Sequence, residues 1–329
     1  MNILLLLTLL LQFPSITKTI VRDIDLPNGE STQEEGYYNN NDKKQWVRHG
    51  AYKLFFENGD IKVQGNYYEG KAEGHFIYYH RGLEPHAEGD FKNGKREGYW
   101  KFYHIDGILS HEGLYEMGLK QGLHKYYATN AQIVRWINYY YGEPHGEFAL
   151  WYEKENPDRN PLIYPPYYCP LGRLLWDIGK KYTDKLQQKY NAYSVEQGTP
   201  SHPAVTGWFK HGKHDRHWKA WYPDGTPRFS ICYVDGLPDG EVRLWYPNSQ
   251  VASIQYYVNG RKAGFWRYWY PDGKLHKEMT YDHNQLNGEY RCFYENGVRQ
   301  CIGDYLKGKK VGLWRYYAKD GLEWKGKKE

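Results

Sequence analysis

Eight basic residues of this 329-residue chain each stand two positions before an aromatic residue. The pairs are Lys53 and Phe55, Lys101 and Tyr103, Lys125 and Tyr127, Lys219 and Trp221, Arg243 and Trp245, Arg267 and Trp269, Arg291 and Phe293, and Arg315 and Tyr317. Because residues two apart on a β-strand share a face, each pair would present a cation beside an aromatic ring. Such pairs bind anionic or planar groups, such as phosphates, acidic peptides and acidic glycans. In the alternative interpretation, the long side chains cover the rings and pair across strands with acids such as Glu112 and Glu278.

A second arrangement that suggests chemistry is the triplet His211, His214 and His217. Metal-binding histidines at intervals of three suit a helix, whereas this segment has the pattern of a strand, a turn and a strand, so no metal site is predicted. The sequence also lacks a G-x-S-x-G motif, a Cys–His nucleophile context and a phosphate-binding glycine loop. We therefore predict a non-enzymatic protein without a cofactor.

The basic–aromatic pairs recur because the sequence itself repeats every 24 residues. Units open at Gly50, Gly74, Gly98, Gly122 and Gly146, and the spacing resumes at Arg216 and continues at Gly240, Gly264, Gly288 and Gly312. Counting the opening residue as position 1, the cations occupy position 4 and their aromatic partners position 6. Position 18 is also aromatic wherever the unit is complete. A fixed period in this range is typical of repeat proteins built from one supersecondary motif.

Two turn signals divide each unit into two strands. The first is an Asn–Gly or Asp–Gly pair, as at Asn58-Gly59 and Asp272-Gly273, and the second centres on a glycine that Asn284 replaces once. Both signals are typical of β-hairpins. The predicted fold is therefore all-β: an elongated, twisted antiparallel meander of about ten 24-residue β-hairpin repeats, with one helical insertion in the fifth repeat.

The stretches "GYWKFYHIDG" and "GLYEMGLKQG", residues 98–107 and 113–122, follow a known pattern. They resemble the variant MORN (membrane occupation and recognition nexus) repeat, and the resemblance covers residues 50–155 and about 202–324. It implies one hairpin per repeat and a curved sheet. Some bacterial members carry an antitoxin label, so the resemblance also implies an antitoxin-like protein.

The hairpin register depends on the first turn. Pro223, Pro247 and Pro271 precede the Asp or Asn of that turn, which favours a type I turn followed by a bulged glycine. This choice predicts that positions 6 and 18 share one face and form the core. Cys292 and Cys301 flank such a turn and are a disulfide candidate, although they would face each other only with a two-residue turn. The sequence leaves this pairing open.

Composition changes divide the chain further. The predicted organisation is a signal peptide at 1–17, a flexible N-terminal segment at 18–48, repeats 1 to 5 (first part) at 49–155, an insertion at 156–201, the end of repeat 5 and repeats 6 to 10 at 202–324, and a basic tail at 325–329. The insertion is Pro-rich and then has apolar residues at helical spacing from Leu171 to Tyr193, which predicts an amphipathic helix. This helix would act as a lid or complete the core.

The N-terminal apolar run from Ile3 to Leu11 is too short to span a bilayer and predicts a secretory signal peptide, with a buried strand as the alternative. We therefore expect a secreted or extracytoplasmic protein, in the periplasm or on the cell surface, without a transmembrane segment. Export and a net charge of only +5 argue against a nucleic-acid partner.

These features predict an exported repeat scaffold that binds a protein or an acidic surface through its aromatic and basic face. Carbohydrate or cell-surface glycan binding is the first alternative, because Trp and Tyr rings stack on sugars. Attachment to an anionic membrane surface is the second. The sequence does not identify the partner or the oligomeric state.

Overall fold

The computed structural model describes residues 18–25, 31–40, 46–151 and 203–324, and these residues contain strands but no helix. The strands are β1 (Lys18–Asp25), β2 (Ser31–Asn40), β3 (Trp46–Phe55), β4 (Ile61–Tyr68), β5 (Lys71–Ala72), β6 (Gly74–Tyr79), β7 (Pro85–Lys92), β8 (Lys95–Tyr103), β9 (Leu109–Glu116), β10 (Leu119–Tyr127), β11 (Ile133–Tyr140), β12 (Glu143–Leu150), β13 (Val205–Lys210), β14 (Lys213–Trp221), β15 (Pro227–Val234), β16 (Leu237–Trp245), β17 (Val251–Val258), β18 (Arg261–Trp269), β19 (Leu275–Asp282), β20 (Gln285–Phe293), β21 (Arg299–Leu306), β22 (Lys309–Tyr317) and β23 (Glu323–Trp324). The predicted all-β class is confirmed. The predicted signal peptide, the helix of the insertion at 156–201 and the basic tail lie outside the described residues.

The chain divides into two compact units. The first comprises Met1–Ile133 and Tyr139–Glu143, and the second comprises Val134–Asn138 and Pro144–Glu329. In the first unit, β1 to β4 pair in chain order, β4 pairs with both β5 and β6, and β6 to β10 continue the order. In the second unit, β12 to β23 pair in chain order. Every one of these pairs is antiparallel, so each unit is a meander.

Strands β1 and β2 lie in the segment 18–48 that the sequence predicts to be flexible. They pair from Lys18↔Tyr38 to Asp25↔Ser31, and β2 pairs in turn with β3. The run Thr19-Ile20-Val21 is β-branched and favours a strand. The segment lacks the 24-residue period, so the repeat pattern could not reveal these two strands. The segment that the sequence predicts to be flexible thus contains two paired strands.

The first turn between β3 and β4 has the predicted type, which most other first turns share; the turn between β6 and β7 differs, because both Gly82 and Leu83 have positive φ. Between β3 and β4, the Gly59 N–H donates to the Phe56 carbonyl (2.9 Å) and the Phe56 N–H donates to the Asp60 carbonyl (2.8 Å). Gly59 has a φ of 84°, which is the left-handed conformation that a bulged glycine supplies. This geometry is a type I turn followed by a glycine bulge, as expected. The second turns differ: Asn93 and Gly94 both have positive φ (53° and 79°), as a two-residue type I′ turn requires.

The predicted common face of positions 6 and 18 is wrong. Leu54 pairs with Val63, whereas the next residue, Phe55, pairs with Ile61, so one more residue is bulged out just beyond the turn. The same shift recurs in six other first-turn hairpins, for example between Tyr268 and Trp269, and is absent from the pairing of β22 with β23. Because of this second bulge, the side chains of the strand after the turn lie on the opposite faces from those that the turn alone would predict. Position 18 therefore shares a face with positions 3 and 5, and position 6 lies on the opposite face.

We call the face formed by positions 3, 5, 14, 16 and 18 the aromatic face. In the first unit it carries Phe76, Trp100 and Tyr115, of which Trp100 has no exposed surface. In the second unit it carries Trp218, Tyr233, Tyr257 and Trp266, all buried. Rings within each unit meet edge to face, as Phe91 and Trp100 do at 5.0 Å between centroids. This face forms the core of each unit.

Glycine at position 16 makes room for the ring at position 3 of the following hairpin. A Cβ on Gly89 would overlap the Trp100 ring, and equivalent overlaps arise at Gly65 with Phe76, Gly113 with His124, Gly207 with Trp218 and Gly303 with Trp314. The rings thus lie flat on the neighbouring backbone. The Trp100 Nε1–H then donates to the Asp90 carbonyl (3.0 Å). Trp218, Trp266 and Trp314 donate to the carbonyls ten residues before them in the same way.

The second bulge also decides the position of the cysteines. Cys292 and Cys301 occupy positions 5 and 14, pair directly across β20 and β21, and are joined by a disulfide, with their Cα atoms 5.1 Å apart. They face each other although the turn has a bulged glycine, because the second bulge restores the register. Of the other cysteines, Cys232 is a free thiol.

Candidate functional site

The predicted cations and aromatic residues lie on the face opposite the aromatic face. Positions 4 and 6 share this face with position 15, as the pairing of Arg267 with Glu278 across β18 and β19 shows. We call positions 4, 6 and 15 together the charged face. Lys53, Lys101, Lys219, Arg267 and Arg315 are exposed there, while Lys125, Arg243 and Arg291 are partly buried. The position-6 aromatic residues, from Phe55 to Tyr317, are all partly buried.

In the first unit, the tyrosines of the charged face are bound to acids. The Tyr103 hydroxyl donates to the Glu88 carboxylate (2.5 Å) and the Tyr127 hydroxyl donates to the Glu112 carboxylate (2.6 Å). Burial, followed by these bonds to carboxylates, raises the pKa of both tyrosines. Lys101 lies directly across from both Glu88 and Glu112 in the strand register. The lysines here therefore stand among carboxylates that tyrosines hold in position.

In the second unit, the arginines of the charged face form ion pairs. The guanidinium of Arg243 contacts Glu241 at 2.6 Å. Glu278 lies between two arginines, with one carboxylate oxygen 3.3 Å from Arg267 and the other 3.4 Å from Arg291. The predicted pairing of Glu278 with these cations is confirmed. The positive charge of this face is thus largely balanced by its own acids.

Cation–ring contacts on the charged face are sparse. Arg243 lies 5.9 Å from the centroid of the Trp245 ring. Within the described ranges, no other position-4 cation lies over the ring at position 6 of its strand. The backbone carbonyls of Trp245, Trp269, Phe293 and Tyr317 instead accept hydrogen bonds from tyrosine hydroxyls one hairpin earlier, at Tyr222, Tyr246, Tyr270 and Tyr294. These bonds join successive hairpins along the first-turn edge.

The sequence reasoning missed a row of cations on the aromatic face. They occupy position 23, just after the second turn. Arg96 lies 4.5 Å from the centroid of the Trp100 ring, and Lys262 lies 4.9 Å from that of Trp266. Arg48 and Lys310 make equivalent contacts with Tyr52 and Trp314, and Lys120 lies 4.9 Å from the centroid of the Tyr139 ring. On each side of the insertion, these residues recur at intervals that are multiples of 24 residues, so they could have been detected. They were missed because position 23 follows a turn and is not marked by an adjacent aromatic residue in the sequence.

Two histidines lie on the aromatic face, of which His124 is fully buried and His214 is partly buried. His124 has no exposed surface; its Nε2–H donates to the Leu114 carbonyl (2.9 Å), and its Nδ1 accepts from His111 (2.9 Å). Burial lowers the pKa of His124 to about 4, with Lys120 contributing, and burial lowers the pKa of His214 to about 4 as well. His214 packs 4.4 Å from the Trp218 ring centroid. In the part of the chain that the structure describes, no group of three His, Cys, Asp or Glu side chains is arranged to hold a metal ion.

A search for long apolar helices among the described residues finds none that could cross a membrane.

Comparison with known proteins supports the repeat assignment. A family model described as MORN repeat variant matches residues 48–67, 238–259, 264–283 and 286–307. No curated protein matches the chain significantly. The four matched stretches coincide with hairpins of the predicted period, and an antitoxin role stays a prediction. The chain therefore carries repeats of the MORN repeat variant family.

Proposed function

We propose that the protein is a non-enzymatic, exported repeat scaffold that binds a protein partner through its charged face. The supporting observation is the recurrence of one side-chain pair in one register. In the second unit, Arg243 with Trp245, Arg267 with Trp269 and Arg291 with Phe293 occupy equivalent places on β16, β18 and β20. Equivalent residues are two strands apart, or about 10 Å. An extended partner with acidic groups at that spacing would meet the same contact in each hairpin.

The ion pairs of this face favour a protein partner over a simple polyanion. Arg243, Arg267 and Arg291 already have glutamate partners, so the face offers alternating charges rather than uniform positive charge. Exposed pairs contribute little, up to about 1 kcal/mol, so a partner's acids can replace them at small cost. The apolar leader pattern at residues 3–11 supports the export part of the proposal.

The test is a pull-down from the native source with a charge-swapped variant. Arg243→Glu combined with Glu241→Arg keeps the intramolecular pair and the net charge, but it puts an acid where the face presents a cation. We expect the variant to fold with unchanged thermal stability and to recover less partner, and addition of Arg267→Glu with Glu278→Arg should reduce recovery further.

The matched control is Lys307→Glu, which changes charge at an exposed second turn away from this face. Equal partner recovery by wild type and both swapped variants would refute the proposal. Binding that resists salt and is retained on a polysaccharide would instead identify the glycan alternative, and salt-sensitive binding to acidic liposomes would identify the membrane alternative.

A further inference from the structure

The second turns carry a recurrent side-chain cap. The first residue of each type I′ turn stands at position 20. Its backbone N–H takes no part in the hydrogen bonds between the two strands of its own hairpin. In six of the nine second turns that the structure describes, the side chain at position 24 of the preceding unit accepts from it. Glu73 accepts from the Asn93 N–H (2.8 Å), Glu97 from the Met117 N–H (2.9 Å), and Gln121 from the Tyr141 N–H (3.0 Å). His49, His145 and Asn287 occupy the same place with longer contacts.

Among the described residues of the second unit, three turns lack this bond. At two of them, Asp235 and Asn259, position 24 still carries an acceptor (Asp215 and Asp239), whereas at the third it carries none. Position 24 is Ala263 there, and a methyl group cannot accept a hydrogen bond from the His283 N–H. A cavity of about 440 Å³ opens at this point, lined by Val258, Asn259, Arg261, Lys262, Ala263, Asp282 and His283. Its lining includes both Ala263 and His283, the residues that correspond to Glu73 and Asn93 in the capped turn.

The chemistry of the lining suits a carboxylate. Arg261 is exposed, and the described residues include no ion pair to its guanidinium. The ammonium of Lys262 is held over the rings of Trp266 and Tyr281, at 4.9 and 5.1 Å, and adds positive charge nearby. Val258 and Ala263 provide apolar surface. Asp282 is the one acid of the lining, and the His283 imidazole contacts its carboxylate.

We propose that this cavity binds a carboxylate group, supplied by a small free acid or by a glutamate side chain of another protein. One carboxylate oxygen accepts from the His283 N–H, as Glu73 does from Asn93, and the other accepts from Arg261. The apolar stem of the ligand packs on Val258 and Ala263. The site lies at a second turn and shares no residue with positions 4, 6 and 15 of the charged face, so it stands or falls separately from the proposed partner binding.

The experiment is an amide NMR titration of the full chain that follows the His283 N–H. The two probes are acetate and a blocked Gly-Glu-Gly peptide, with Gly-Gln-Gly and sodium chloride as controls. A saturable shift with both carboxylates means that a small acid suffices, and a shift with the peptide alone assigns the site to a protein side chain. No saturable shift with either, or an equal shift with chloride, overturns the proposal.

Three variants sharpen the titration. Ala263→Glu supplies the chain's own carboxylate, so the His283 amide should already resonate near its bound position and titration should have no effect; a full-size shift in this variant would contradict the site. Arg261→Gln should weaken binding about tenfold, because it removes a charge-assisted bond. Asp282→Asn should strengthen binding, because it removes the one repulsive charge. If Arg261→Gln weakens carboxylate binding and Asp282→Asn strengthens it, the binding is electrostatic. A change in packing would not give these opposite effects.

Discussion

The aromatic face and the charged face belong to the same strands but are held together by different forces. On the aromatic face, rings such as Trp100 and Trp266 have no exposed surface and bond to backbone carbonyls of the neighbouring strand. On the charged face, pairs such as Arg267 and Glu278 remain in contact with water. The difference implies that the aromatic face carries stability and tolerates little change. The charged face can vary, and can exchange its contacts for those of a partner.

The largest expected effect tests the close packing of the aromatic face. Gly89→Val should lower the free energy of unfolding by about 3 kcal/mol, because the branched side chain overlaps the Trp100 ring. Urea unfolding of wild type and variant measures this difference. Gly89→Gln should cost less, since the unbranched Gln255 occupies the same position beside Trp266. Gly89→Ile should be destabilised for the same reason, and adding Trp100→Val to it should restore part of that loss. Ile231 and Val242 are the natural example of this combination at the equivalent positions. A loss below about 1 kcal/mol in Gly89→Val would contradict the packing.

The next effect concerns the disulfide of the same face. Positions 5 and 14 hold a stacked pair in Phe102 and His111, whereas Cys292 and Cys301 are covalently joined. Closing a loop of this size stabilises a fold by about 2–3 kcal/mol. Cys292→Ser with Cys301→Ser should therefore lower the unfolding free energy by this amount in denaturant titrations. Reductant should destabilise wild type but not this variant, with Cys232→Ser as the control that behaves like wild type. Wild type that is indifferent to reductant would argue against the bond.

A smaller effect arises from His124, which replaces tryptophan at position 3. Its folded-state pKa of about 4 lies below the ordinary value of 6.5, so the unfolded chain binds the proton first as the pH falls. The neutral His124 therefore contributes to the free energy of unfolding. This contribution is fully present above about pH 6.5 and is lost progressively as the pH falls towards 4. Between pH 7.5 and pH 5 the loss should be about 2 kcal/mol.

Denaturant unfolding across this pH range measures the loss, and His124→Trp provides the comparison. The tryptophan can donate to the Leu114 carbonyl in the same way but does not titrate. The variant should therefore show a shallower decline of stability with acid. Parallel pH profiles of the two proteins would show that His124 is not the group responsible.

The smallest expected effect belongs to the charged face. A double-mutant cycle on Arg267 and Glu278, with alanine at each position, should give a coupling energy below about 1 kcal/mol. Added salt should reduce the coupling further, because the Arg267 side chain is about half exposed to solvent. Thermal unfolding of the four proteins provides the measurement. A coupling comparable to the effect of Gly89→Val would mean that the two faces do not differ as described.

Much of the fold could be predicted because its signals are local. The 24-residue period, the Asn–Gly and Asp–Gly turns and the positive-φ glycines are visible in the sequence, and the structure has the expected hairpins. The second bulge near Phe55 and Ile61 has no such signal, and the prediction that positions 6 and 18 share a face was wrong for that reason. The glycines under the rings, such as Gly89, were visible, but their role depends on a register that the turn alone does not determine.

The candidate site was predicted in part. The grouping of positions 4 and 6 on one face follows from strand alternation and holds in the structure. Glu241 and Glu289, which pair with Arg243 and Arg291, stand two residues before them on the same strands, so the same rule could have found them, but the sequence analysis did not use it. The position-23 cations and the cavity beside Ala263 were not foreseen. Both depend on side chains of two different hairpins meeting at a turn.

By itself, the sequence determined that this protein is a series of β-hairpins with a cation and a ring at fixed places, because turn chemistry and strand alternation act over a few residues. Tertiary structure alone decided which rings are buried, which cations lie over those rings and which turns lack their cap. Those outcomes require the packing of one hairpin against the next, since a single bulged residue exchanges the two faces of a strand.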